Sequence, residues 1–113
     1  MARVRCITEM GMGVDVHGKD ATKAAKRAVS DAIRHSSLGF FRMLGKTASD
    51  MFVDVTIGVQ QPDKVDAEKV RASLPHGIVT VKVVKGGLDV ADPENNDPAV
   101  IASAAVCVRL ELP

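Results

Sequence analysis

The residues of this chain best suited to chemistry lie in one short segment, residues 9–18, which holds three glycines, two carboxylates and a histidine. If the end of this segment is extended, Asp15 and His17 project from one face of a strand while Val14 and Val16 face the core. An aspartate and a histidine so placed are suited to acid–base catalysis, to metal binding or to bonding a neighbouring subunit. We therefore take Asp15 and His17 as the candidate catalytic pair.

Glycines supply the second candidate feature. Gly11 and Gly13 permit backbone angles that are closed to other residues, so the chain can turn tightly or approach a ligand closely there. Gly86 and Gly87 can form a bulge with the same consequence. We assign all four to ligand binding, with a purely structural bulge or turn as the alternative.

A helix is predicted to begin directly after the first segment, and its N-terminus is suited to an anion. Free backbone N–H groups there, with Lys19 and Lys23 nearby, favour negative charge. Gly18 and Asp20 are further candidate ligand-binding residues, and Lys23 is the candidate catalytic cation. The alternative is a helix capped by Asp20 with solvated lysines. The spacing is not that of a phosphate-binding P-loop.

These residues need elements to position them, and hydrophobic periodicity predicts the order β-α-β-α-β-β. The first strand runs into the glycine segment, and an alanine-rich helix follows from Asp20. This order calls for one α+β domain, residues 1–113, with a mixed four-stranded sheet and two helices on one face. The predicted strands are 3–10, 51–59, 78–85 and 100–112, and the predicted helices start at 20 and 66.

Composition narrows the classes of partner. The 113 residues carry a net charge of +1, which gives no support to binding of nucleic acid or membrane. Residues 1–46 sum to +5 and residues 47–113 to −4, so an anion site is favoured in the first part. Without a signal peptide or a long apolar run, and with Cys6 and Cys107 unsuited to a disulfide or zinc framework, we expect a cytoplasmic protein with reduced thiols.

The run GMGVDVHG resembles the GxGxDxHG signature of a small family of conserved hypothetical proteins of listerial type. The matching positions are Gly11, Gly13, Asp15, His17 and Gly18. The resemblance extends along the following helix and to the surroundings of Leu74-Pro75 and Gly86-Gly87-Leu88. It supports the choice of site and implies no particular reaction.

Two helices cannot cover both faces of the predicted sheet, so the opposite face needs a partner. We expect a homo-oligomer, with a trimer or a multiple of three first. The element order also resembles that of the chorismate-mutase-like fold, whose members include trimers with active sites between subunits. Fold resemblance carries no function by itself.

Three functions remain open. The first is a small oligomeric enzyme acting on an anionic small molecule, with Asp15 and His17 handling protons and no cofactor. The second is a metal-dependent hydrolase that uses the same pair with Glu9 or His35, although no metal-binding signature supports it. The third is a non-catalytic binding or assembly protein. An acid–base role predicts that Asp15→Asn leaves the stability unchanged, whereas a structural role predicts a loss.

Overall fold

The computed structural model describes residues 2–34 and 40–113, and it describes only the backbone of Phe40 and Arg42. The strands are β1 (Ala2–Asp15), β2 (Phe52–Val59), β3 (Ile78–Lys85), β4 (Leu88–Val90) and β5 (Ala99–Leu112), and the helices are α1 (Ala21–Arg34), α2 (Phe40–Met43) and α3 (Ala67–Ala72). Single 3₁₀ turns at Ala48–Asp50 and Pro62–Lys64 flank β2. No helix among the described residues is long and apolar enough to cross a membrane.

The strands form one mixed sheet in the order β1-β5-β2-β3, with β4 also paired to β5. Strands β2 and β3 are parallel, and the other pairs are antiparallel. The predicted α+β class and the mixed sheet are confirmed, but the predicted number of four strands is wrong. Strand β4 was missed because three residues after a glycine pair are too short to show a period of two.

The hydrophobic core lies between α1 and one face of the sheet. Alternate residues of β2 and β5 face α1 and are buried, as period-two alternation requires. The helix side of the core is built from small residues at helical spacing. Its buried members are Ala21, Ala24, Ala25, Ala28, Val29 and Ala32.

Strand β1 continues past Met10 through Gly11 and Gly13 to Asp15, which corrects the predicted strand 3–10. The reason is the closeness of α1. A Cβ at Gly11 would collide with the backbone of Ala28 and Ala32, and one at Gly13 with the backbone of Ala24 and Ala28. The backbone that approaches Gly11 and Gly13 closely is therefore that of α1.

Helix α1 also covers the outer edge of β1. The Asp31 carboxylate accepts a hydrogen bond from the Met12 backbone N–H at 3.0 Å, and the Arg27 guanidinium donates to the Val14 carbonyl. Two backbone groups of an edge strand are thereby satisfied by helix side chains, which protects this edge from pairing with another strand.

We predict that Gly13→Ala lowers the free energy of unfolding by about 3 kcal/mol, because the helix backbone cannot move away without disrupting the core. Chemical denaturation measures the loss. Gly45→Ala is the matched control: nothing lies within 4 Å of its Cβ position, and its φ of 67° gives only a left-handed penalty, about 1 kcal/mol. Equal losses in the two variants would contradict the close packing of α1 on β1.

Candidate functional site

Asp15 is the buried polar residue at the centre of the candidate site. It ends β1 on the face covered by α1, and its relative exposure is 2%. Its Oδ2 accepts the Asp20 backbone N–H at 2.9 Å, and its Oδ1 lies 3.6 Å from Lys23 Nζ and 3.8 Å from Arg27 Nη1. A single carboxylate thus joins the end of β1 to the first two turns of α1.

The structure separates Asp15 from His17. The prediction that Val14 and Val16 face the core while Asp15 and His17 share an outer face is wrong, since Asp15 is buried and Val16 is 54% exposed. Strand β1 ends at Asp15, so strand alternation does not continue to His17. The residues between Asp15 and α1 include Gly18 and Lys19 at positive φ, which turns the chain sharply.

His17 contacts a different carboxylate. Its Nδ1 lies 2.9 Å from Asp97 Oδ2, and the Gly18 backbone N–H donates to Asp97 Oδ1 at 3.0 Å. A carboxylate only accepts hydrogen bonds, so in the neutral imidazole Nδ1 carries the proton. The other ring nitrogen, Nε2, is then the hydrogen-bond acceptor of the His17 ring. The His17 side chain is 82% exposed. Asp97 lies in the acidic segment before β5, which the sequence analysis did not include among the candidate site residues.

The Asp97 carboxyl has a lowered pKa. The hydrogen bond from the Gly18 backbone N–H contributes most, and the hydrogen bond from His17 comes next. Both favour the charged carboxylate. The loop before β5 is therefore tied to the residues that lead into α1.

Lys23 and Arg27 line a groove on the outer side of α1, which we call the basic groove. Their side chains are 52% and 51% exposed, so each meets Asp15 on one side and solvent on the other. The groove has a volume of about 490 Å³ and holds four cationic side chains. Its lining residues are Asp20, Thr22, Lys23, Lys26, Arg27, Ser30 and Lys69.

Asp20 caps α1, as predicted: its Oδ1 accepts the Lys23 backbone N–H at 3.0 Å. The structure brings Asp20 and Lys23 together in the basic groove and places Asp15 behind them. Sequence reasoning did not single out Lys26, Arg27 or Lys69 as site residues. The first two were accessible in principle, because positions 23, 26 and 27 share one helix face. Lys69 comes from α3, and local sequence does not predict that contact.

The remaining candidate glycines lie elsewhere. Gly86 and Gly87 connect β3 to β4 and line a hollow on the opposite face of the sheet. Gly87 has a φ of 61°, and a Cβ there would collide with the Ile101 carbonyl, so the backbone that this glycine lets approach belongs to β5. His35 lies outside the described residues. Within 2–34 and 40–113, no three His, Cys, Asp or Glu side chains are grouped to hold a metal.

Comparison with known proteins gives a family and a structural relative. The family model described as "Conserved hypothetical protein (Lin0512_fam)" matches residues 5–108. A crystal structure of an FtsZ-like protein of unknown function from Nostoc punctiforme PCC 73102 is 43% identical to this chain. The match covers 99% of each chain, with a TM-score of 0.86. No curated protein matches the chain.

We predict that Asp15→Asn lowers the free energy of unfolding by about 2 kcal/mol, because the substitution leaves two cations beside a buried neutral amide. Denaturant unfolding measures the change. The control is Glu68→Gln: Glu68 is 76% exposed and lies 2.7 Å from Arg71 Nη2, a surface ion pair for which a much smaller loss is expected. An Asp15→Asn variant as stable as the parent would restore the purely catalytic interpretation of Asp15.

A second prediction concerns Asp97 and pH. Since the folded-state pKa is lowered from 3.8, the stabilisation from Asp97 is present above pH 3.8 and disappears as the pH falls through the lowered value. Carbon-detected NMR of the Asp97 carboxyl group should show a titration midpoint below pH 3.8. His17→Ala should move the Asp97 pKa only part of the way up, because the Gly18 N–H remains. An Asp97 that titrates at or above 3.8 in the parent protein would contradict the contact.

Proposed function

The chain belongs to the Lin0512 family of conserved hypothetical proteins, and on that premise we propose that its basic groove binds an anionic small molecule. One observation carries the proposal: four cationic side chains from α1 and α3 line a single groove of about 490 Å³. Side chains of one sign in a concave site raise the local concentration of a ligand of the opposite charge.

The groove keeps unpaired positive charge. The Asp15 carboxylate lies beneath Lys23 and Arg27, but Lys26 and Lys69 form no ion pair with any residue that the structure describes. The Asp20 carboxylate in the lining is engaged as the cap of α1. The two lysines therefore present free ammonium groups to a ligand, and Asp15 fixes the position of the other two cations.

The lining also indicates the class of anion. It contains no aromatic residue, so nothing in it is suited to stacking a base or an aromatic ring. Of its two hydroxyl groups, that of Thr22 already donates to the Lys64 carbonyl and accepts the Asp66 N–H, which leaves that of Ser30 for a ligand. Cationic side chains with hydroxyls are typical ligands of phosphate groups. We propose a phosphorylated small molecule, held mainly through its phosphate oxygens.

Acid–base catalysis on such a ligand is the second candidate function, and the His17–Asp97 geometry favours it. A carboxylate that fixes one ring nitrogen leaves the other for proton transfer. In this version His17 is the proton-transferring group, Asp97 orients it, and Asp15 holds Lys23 in place. Loss of turnover in His17→Ala with retained phosphate binding would support catalysis over binding alone.

We also propose a chorismate-mutase-like arrangement and a cytoplasmic location. Helices on one face of the sheet and an uncovered opposite face support the chorismate-mutase-like arrangement. Two free cysteines support a cytoplasmic location, where thiols stay reduced.

We predict that inorganic pyrophosphate binds to the parent protein and that Lys26→Gln with Lys69→Gln weakens this binding at least tenfold. Each lost charge-assisted contact costs about 1.5 kcal/mol or more, and 1.4 kcal/mol is a factor of ten. Isothermal titration calorimetry at low salt measures both affinities. The matched control is Lys82→Gln, because Lys82 is an exposed lysine on β3 that does not line the groove. Equal affinities in the double variant and the control would exclude the groove.

A further inference from the structure

The face of the sheet opposite α1, which we call the open face, is not covered by α1 or α3, and several of its side chains are exposed in the part of the chain that the structure describes. Strand register assigns its residues: Met10 pairs with Ala105, Met12 with Ser103, and these alternate with the buried residues that face α1. Exposed apolar side chains are concentrated there. More than half of the large hydrophobic side chains that the described residues expose lie on it, namely Met10, Met12, Ile78, Leu88 and Val90.

The open face has a ridge beside a hollow. Met10 and Met12, 72% and 54% exposed, stand on β1. Next to them lies a shallow hollow of about 670 Å³, whose floor includes Gly58, Ser103 and Ala105. Methionine side chains adapt well to such irregular spaces. When two identical faces meet about a rotation axis, the ridge of each can enter the hollow of the other.

The open face also carries charged side chains, and two ion pairs neutralise most of them. Arg3 pairs with Glu111 at 3.4 Å and also lies over the Phe52 ring, 3.7 Å from its centroid. Arg109 pairs with Asp54 at 3.0 Å. Arg5 and Lys82 stand on the same face without an ion pair to any residue that the structure describes, and both lie away from the methionine ridge.

The size of the open face fits a stable interface between copies. Four strands about 4.8 Å apart and roughly 27 Å long, continued by the β1–β5 ladder, give a face of roughly 700 Å². Because side chains make this face uneven, its accessible area is larger than the flat area. It reaches about 800 Å², which is the area that each partner buries in a specific interface. The edge of β1, in contrast, is already blocked by Arg27 and Asp31.

From this area and the self-complementary relief, we propose that a second copy of this chain packs against the open face. The interface lies on the opposite side of the sheet from the basic groove, so it stands independently of anion binding. Reciprocal packing of this kind is made about a two-fold axis, so it predicts a dimer or an assembly of dimers rather than the trimer expected from the sequence.

The experiment is light scattering coupled to size exclusion, with the full chain at about 10 to 100 µM, a range in which a stable interface of this size stays associated. We expect a mass that is a multiple of 12.0 kDa for the parent protein and for Met43→Glu, and 12.0 kDa for Met12→Glu. Met43 is the matched control because it is 87% exposed and belongs to α2, outside the strands that form the open face. Circular dichroism checks the fold, and Thr56→Lys on β2 replaces Met12→Glu if that variant does not fold.

Thiol labelling gives an independent readout. Cys107 lies on the open face opposite Thr8, so in a Cys6→Ser background its reaction with a bulky thiol reagent should be slow in the oligomer and faster in Met12→Glu. A parent protein of 12.0 kDa at these concentrations overturns the proposal. So does an oligomer whose mass and Cys107 reactivity are unchanged by both open-face substitutions.

Discussion

The close contact between α1 and β1 is the constraint on which the rest of this structure depends. No side chain separates the helix backbone from β1 at Gly11 and Gly13, because an added Cβ there would meet helix backbone. Alanines at helical spacing provide the complementary surface on α1. At such short separation, dispersion contacts are many and a single methyl group is too large.

This contact explains how the polar residues are arranged. Because α1 crosses so near to β1, the Asp15 carboxylate at the end of the strand reaches both Lys23 and Arg27. The same closeness lets Asp31 and Arg27 satisfy backbone groups on the strand edge. Helix α1 thus uses its alanine face for packing, its flank for closing the strand edge and its outer face for the basic groove. Because most residues that line the basic groove belong to α1, the rigidity of the groove depends on that of the helix.

Much of this architecture follows from the sequence, and particular residues show where such reasoning stops. The alanine stripe predicted α1, and alternating valines predicted β2 and β3, because these periods reflect burial on one face. The glycines were interpreted as sites of close approach, which they are, but only the fold shows that the approaching group is α1. Local sequence gives no information on which element lies against a given face.

Sequence reasoning found only those parts of the site whose residues are close together in the chain. Asp15, Asp20 and Lys23 are close in sequence, and the structure joins them. The pairing of Asp15 with His17 assumed that strand alternation continues past Asp15, whereas positive φ at Gly18 and Lys19 turns the chain. Asp97 comes from 80 residues further along and meets His17 only through the return of the loop before β5. Contacts over such separations require the sheet order, which periodicity does not encode.

Native-state hydrogen exchange tests most directly whether α1 and β1 form one rigid unit. The buried amides of α1 should exchange only by the same global opening as those of β1 and β5, so all three should give one opening free energy and one denaturant dependence. In Gly13→Ala, the α1 amides alone should become faster to exchange than those of β5. The account would be contradicted if, in the parent protein, α1 opened in a separate, lower-energy step while β1 and β5 stayed protected.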